Sequence, residues 1–299
     1  MAEPILTHKV VNLDAVFKKL QQPLEWYEKN YEANAKYDGC FAFVMLNTDG
    51  TVEVQSRTGE VFTSCNYQAD CLLQVLRDEV AFHEGLVLLA EAWCPYLDFS
   101  TSSGQFRRGQ PSEDLQLVVF DVLTRAEFEA KHSPVGFAER MGRLAGKLTH
   151  TLIFYDRVVA RRAQRWAPGT YDALTILGAL TSDPAGYDGL VLADQNGTWT
   201  AGKGKNGEKV RLKRNLSFDL RVTGIFTGTG EKTGRDVYTI SVDFKGKTLM
   251  VGSGMPHQSH MLPKVGDIVE IVAMDYSSEG LLREPRYKGI RHDKKEADT

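Results

Sequence analysis

Six polar residues stand at the borders of apolar runs, where they could form one site if those runs are strands. Lys36 lies just before CFAFVML (40–46), and Arg57 follows TVEVQS (51–56). NTDG (47–50) between the two runs is a turn signal. The runs should therefore pair as an antiparallel hairpin, bringing Lys36 and Arg57 to the same end of the sheet. Glu91 closes LVLLAEAW (86–93), Asp121 closes LQLVVFDVL (115–123), Asp188 opens GLVLAD (189–194), and Lys213 closes KVRLKR (209–214). Taken singly, each reads as a solvated strand terminus. Their recurrence is the pattern of a site carried on a rigid sheet.

Basic residues cluster as well: Arg157, Arg161, Arg162 and Arg165; then Lys203, Lys205, Lys209, Arg211, Lys213 and Arg214; then Arg283, Arg286, Lys288, Arg291, Lys294 and Lys295. Residues 1–135 hold 11 Lys+Arg against 20 Asp+Glu, a net of −9, whereas 136–299 hold 25 against 19, a net of +6. Each cluster alone reads as a solvated face. Three of them in the later half of an acidic chain point to a polyanion such as a phosphate backbone.

The remaining elements must position these groups. Residues 13–30 read as helical segments interrupted at Pro23, and 66–82 as a helix. Ser133-Pro134 reads as an N-cap and first-turn proline, followed by Phe137, Met141, Leu144 and Leu148 at helical spacing. LIFYDRVV (152–159) reads as a strand and 170–181 as a short helix, while 189–194 and 209–214 pair across a Gly/Lys-rich loop. Short β segments at 219–226, 236–244, 247–252, 267–274 and 283–291 have the size of a five-stranded OB-fold barrel. Residues 214–219 read as the linker and 292–299 as a frayed tail.

At 299 residues, two domains are the natural expectation. No apolar run approaches the ~20 residues of a membrane span. The start, MAEPILTHKV, lacks a basic region followed by an apolar core, so a cytoplasmic protein is expected. Cys40, Cys65, Cys71 and Cys94 have no metal-site spacing and read as buried thiols, and His257 and His260 as loop residues. Residues 202–207 satisfy GxGxxG without a strand-turn-helix frame, and no GxxxxGK[ST] occurs.

Lys36-Tyr37-Asp38-Gly39 resembles the KxDG signature of covalent nucleotidyltransferases, the superfamily of ATP-dependent ligases and capping enzymes. Later segments resemble its further motifs in order: Ser56-Arg57-Thr58-Gly59-Glu60, Glu91 in LLAEAW, Phe120 in VVFDVL, YDGLVL (187–192), VRLKRNLSFDLRV (210–222) and LLREPRYKGIRHDK (281–294). The resemblance spans residues 36–294. KxDG alone is weakly specific, whereas the ordered set points to a small two-domain ATP-dependent DNA ligase of the phage or bacterial type.

The resemblance implies an α+β fold. An adenylation (nucleotidyltransferase, ATP-grasp-like) domain with antiparallel sheets and flanking helices would occupy 1–215, and an OB-fold domain 216–299. It implies that Lys36 takes up AMP from ATP, with Lys213 and Arg211 gripping the α-phosphate. Asp38 would lie at the nucleotide, Arg57 on the ribose or nick phosphate, and Phe120 against adenine. Glu91 and Asp188 would hold Mg²⁺ or Mn²⁺, and Arg291 and Lys294 would orient pyrophosphate. Cations near Lys36 are expected to depress its amine pKa from ~10.4. The chain departs from the pattern twice: Asp188 stands where the EGxV motif has Glu, and Arg211 replaces the first lysine of KxK. The implied partner is nicked duplex DNA, bound by a monomer. Only 35 residues precede Lys36, so no separate helical DNA-binding domain is expected before it. An RNA ligase, a GTP-dependent capping enzyme and a non-catalytic nucleic-acid-binding module are the alternatives.

Overall fold

The computed structural model describes residues 11–12, 22–144, 146–148, 150–202, 207–213, 216–230, 234–277 and 279–298. Residues 13–21 of the expected N-terminal helix, with Lys203, Lys205 and Arg214, lie outside these. Two compact units emerge, Met1–Lys213 and Arg214–Thr299.

The first unit is a mixed, sheet-rich α+β fold with two large sheets. The six-stranded sheet runs in the order Val52–Ser56, Cys40–Leu46, Leu86–Trp93, Gln116–Thr124, Arg157–Arg162, Thr151–Phe154. Its central strands are almost wholly apolar because both faces are buried. Ala42, Val44 and Leu46 join Leu86, Leu88 and Ala90 in a core covered by the Asn66–Leu76 helix. Phe43, Met45, Val87 and Leu89 point the other way, toward Leu123 and Trp199.

The five-stranded sheet runs Val11–Asn12, Lys209–Leu212, Tyr187–Asp194, Tyr31–Tyr37, Arg165–Trp166. Ala33 and Ala35 pack on one face with Leu190, Leu192 and Val210, beneath the Ala173–Ser182 helix.

The Tyr31–Tyr37 strand, YEANAKY, was not expected; Lys36 does precede the hairpin's first strand, but it sits in a strand of its own. Alanine, asparagine and glutamate are poor strand formers, and pairing with Tyr187–Asp194 imposes the extended form. The hairpin expected from NTDG is present, with Ala42 opposite Ser56 and Leu46 opposite Val52.

Residues 152–159 are two strands rather than one. Tyr155 and Asp156 adopt positive φ (47° and 61°), which turns the chain between Thr151–Phe154 and Arg157–Arg162. Ser133 is not a helix cap: it pairs with Trp199, its hydroxyl donates to Glu127, and the helix spans Phe137–Gly142. The 66–82 helix stops at Leu76 and is followed by a 3₁₀ turn, Val80–Glu84, closed by Gly85 at φ 76°.

The second unit is a five-stranded antiparallel sheet in the order Lys247–Val251, Asp236–Phe244, Leu216–Thr229, Ile268–Ala273, Arg286–Ile290. The long Leu216–Thr229 strand pairs with Ile268–Ala273 along its first half and with Asp236–Phe244 along its second. Leu220, Val222, Ile240, Val242, Val269 and Ile271 fill its core. A closed barrel is not among the described pairings; one isolated parallel bridge, Ser253–Arg286, reaches the edge strand. The strand already begins at Leu216, so the expected 214–219 linker is mostly strand. The tail is not frayed through Asp298, whose carboxylate accepts from the Asp219 amide while its own amide donates to the Asp219 carbonyl.

Candidate active site

Lys36 sits opposite Gly189 in the pairing of Tyr31–Tyr37 with Tyr187–Asp194. The register shifts between Tyr187 and Gly189, leaving Asp188 as the extra residue of a bulge. Bulges re-aim side chains, and Asp188 meets the Lys36 amine at 2.6 Å. The same carboxylate oxygen lies 2.5 Å from Lys213 Nζ. Gly189 has φ 134°, and a Cβ there would lie 2.3 Å from the Leu212 carbonyl. Glycine is what lets this bulge lie against the Lys209–Leu212 strand that leads to Lys213.

After Tyr37 the chain passes through Asp38-Gly39 from one sheet to the other. A Cβ on Gly39 would lie 2.4 Å from the Ala92 carbonyl and 2.9 Å from Glu91 Cγ. The crossing therefore presses directly on the end of Leu86–Trp93 and holds Glu91 near Lys36. Tyr37 anchors it, with its ring 4.9 Å from both Trp93 and Tyr187.

A second bulge shapes the opposite wall. Leu89 pairs with Asp121 and Ala90 with Val119, so Phe120 is the unpaired residue. Phe120 faces a cavity of about 380 Å³, shared with Lys36, Arg57, Glu91 and Arg211. Arg57 lies over the Phe41 ring at 5.6 Å, and Phe41 lies 5.8 Å from Phe120.

Asp121 is not a strand-end group. It is mid-strand and fully buried, its oxygens each accepting at 2.9 Å from the Arg140 fork, with Lys209 Nζ at 2.6 Å. Lys209, counted among the solvated basic residues of the sequence, is buried beside the cavity. Two arginines of the 157–165 cluster, both exposed, form ion pairs with the chain's own carboxylates, Arg157 with Glu113 and Arg165 with Glu32. Arg161 lies over the Trp93 ring at 5.4 Å.

The charges set the protonation states. Burial would lower the Lys36 pKa, but the Asp188 and Glu91 carboxylates outweigh it and raise the amine above its ordinary value. The expectation of a depressed Lys36 is thus reversed, because the Asp188 carboxylate lies between Lys36 and Lys213. Lys213 is lowered by burial, despite the Asp188 contact. Burial pushes Glu91 up to about 7, against the pull of Lys36. Burial would raise Asp121, yet Lys209 and Arg140 hold it at about 2.

Lys36, Arg57, Glu91, Phe120 and Arg211 thus surround one cavity, with Asp188 and Lys213 joined to it through Lys36. Asp38 adds its charge to the same neighbourhood, acting on both Lys36 and Glu91. Arg291 and Lys294 belong to the second unit, where both are held by Asp219; Arg291 reaches its two oxygens at 3.0 and 2.9 Å. Sequence reasoning missed Asn34, Phe41, Phe137 and Lys209, which also line the cavity. Period-two alternation through Asn34 and Lys36 marks one face of a strand, a signal visible only once YEANAKY is read as one.

Among the described residues, no group of three or more His, Cys, Asp or Glu could hold a metal ion. The metal donors expected from the sequence are two carboxylates, Glu91 and Asp188. That number fits Mg²⁺, which takes one or two carboxylates and completes its shell with water and substrate phosphates.

No family model and no curated protein matches the chain by sequence. Solved structures do match by fold. "Pmar-Lig_Pre." is 20% identical at a TM-score of 0.72, over 97% of this chain and 68% of that one. A Lig E DNA ligase with a minimal DNA-binding scaffold is 15% identical at 0.68, over 97% and 100%. The ATP-dependent DNA ligase of bacteriophage T7, in complex with ATP, is 16% identical at 0.55, over 95% and 98%. The chain therefore shares the fold of these solved structures. More particularly, the chain has the fold of small ATP-dependent DNA ligases.

Proposed function

We propose that this protein is an ATP-dependent DNA ligase that seals 5′-phosphate/3′-hydroxyl nicks in duplex DNA through a lysyl-AMP intermediate. Residues 1–215 would perform adenylation, and 216–299 would form an OB-fold. The strand order of the second unit and its parallel bridge at Ser253–Arg286 support that fold. The observation that carries the reading is the Lys36 amine, bonded to Asp188 at 2.6 Å and set among Glu91, Arg57 and Arg211 at the mouth of an aromatic-walled cavity.

Adenine enters the cavity against Phe120, with its phosphates toward the cations. Lys36 Nζ forms a bond to the α-phosphorus, the α–β P–O bond breaks, and pyrophosphate leaves. Lys36, an ammonium at neutral pH, loses one proton before its lone pair can attack and a second as the phosphoramidate forms; Asp188 at 2.6 Å is placed to accept the first, and the second leaves with pyrophosphate or water. Lys213 and Arg211 neutralise the phosphoryl oxygens, the main requirement of such transfers. A divalent ion held by Glu91 and Asp188 would supply further positive charge beside the phosphates. Arg291 and Lys294 would orient pyrophosphate once released from Asp219. AMP then passes to the nick 5′-phosphate, and the 3′-hydroxyl displaces it. Arg57 would contact the ribose or that phosphate.

The test is to incubate the protein with Mg²⁺ and α-labelled ATP or GTP, map the label, and then offer nicked DNA or nicked RNA. ATP should label Lys36, and nicked DNA should be sealed. Labelling by GTP alone, or sealing confined to RNA, would overturn the assignment.

A further inference from the structure

The Asp121 cluster carries more charge than a structural ion pair requires. The Arg140 fork already satisfies both carboxylate oxygens, and Lys209 adds a second cation to a single anion. A net positive charge in a buried setting is costly unless another acceptor offsets it. The faces of Phe137 at 4.7 Å and Phe120 at 5.8 Å from the amine offset part of it. An ammonium has three donors, and Asp121 is the one polar partner of Lys209 among the described residues. Lys209 also lines the cavity, together with Phe41, Leu89, Phe120, Phe137 and Val191.

We infer that Lys209 is a specificity-determining residue that donates a hydrogen bond to a ring-nitrogen acceptor of the purine held against Phe120. This rests on the nucleotide-binding reading of the cavity. Asp121 and Arg140 serve as positioning residues that fix the amine. Burial lowers the Lys209 pKa, with Arg140 acting in the same direction, against the pull of Asp121.

The experiment compares ATP with 1-deaza-, 3-deaza- and 7-deaza-ATP, each lacking one acceptor, in the lysyl-AMP-forming step of the full chain. One analogue should raise KM by about ten-fold or more with kcat little changed, as for a lost hydrogen bond to a charged group. In Lys209→Met, which keeps the bulk, that analogue and ATP should fall within about two-fold of each other. Wild-type protein that uses all four nucleotides equally would overturn the inference even if the variant fails to fold. A penalty that persists in Lys209→Met would assign the contact to another group and overturn it too. Absence of any labelling by ATP would instead defeat the ligase reading, and this inference with it.

Discussion

Two carboxylates of the first unit each lie between two cations, and the resemblance ends there. Asp188 is 12% exposed, and its partners Lys36 and Lys213 are 27% and 15% exposed. Asp121 and Arg140 are completely buried, with Lys209 at 10%. In the first cluster, water and incoming phosphates can compete for each cation, so the pairs are exchangeable. In the second, losing Asp121 would strand two cations in a dry interior. One arrangement of charge thus serves chemistry at the mouth of the cavity and rigidity beneath it, and solvent access decides which.

The sharpest way to break this comparison is to remove one cation from the exchangeable cluster. Lys36→Ala should abolish labelling by ATP, a loss of at least ~10³-fold, as for removal of a covalent nucleophile. Its thermal midpoint should stay close to wild type, because Asp188 keeps Lys213. Labelling at the wild-type rate would place the nucleophile elsewhere.

A matched change in the buried cluster should act in the opposite sense. Asp121→Asn leaves Arg140 and Lys209 unpaired and should destabilise the first unit by about 3–5 kcal/mol, measured as a lowered urea midpoint at unchanged slope. A cost below about 1 kcal/mol would mean that the two clusters are energetically alike.

Acid should separate them further. Asp121, held at about 2 when folded, lies below the ordinary carboxylate value. Its contribution is present above pH ~4 and is lost as pH falls through about 2, an effect of roughly 2–3 kcal/mol. Stability against pH in Asp121→Asn should lack that acid limb. The exchangeable cluster should respond at higher pH, and in rate rather than stability. Glu91 titrates at about 7, so lysyl-AMP formation should decline below that pH as its charge is lost. With Lys36 raised, the rate should keep climbing on the alkaline side, with no plateau through pH 9. A flat single-turnover profile from pH 6 to 9 would contradict both shifts.

Much of this protein was legible as a string. Apolar patterning bounded by turn residues located Cys40–Leu46, Val52–Ser56, Leu86–Trp93 and most of the second unit, because burial on both faces makes the first and third continuous apolar runs and burial on one face makes the others alternate. Gly39 and Gly189 were visible as motif residues, although the carbonyls that exclude a Cβ at each come from distant strands. What the string withheld depended on pairing. Between its two tyrosines YEANAKY holds poor strand formers, so Lys36 acquired its strand from pairing with Tyr187–Asp194 and Arg165–Trp166. Asp121 and Asp188 both border apolar runs and look alike in sequence, yet a bulge turns Asp188 to Lys36 and Lys213, while Asp121, next to the bulged Phe120, is completely buried against Arg140 and Lys209. Composition determined which charges the protein has; the register of its strands decided which of them water can reach.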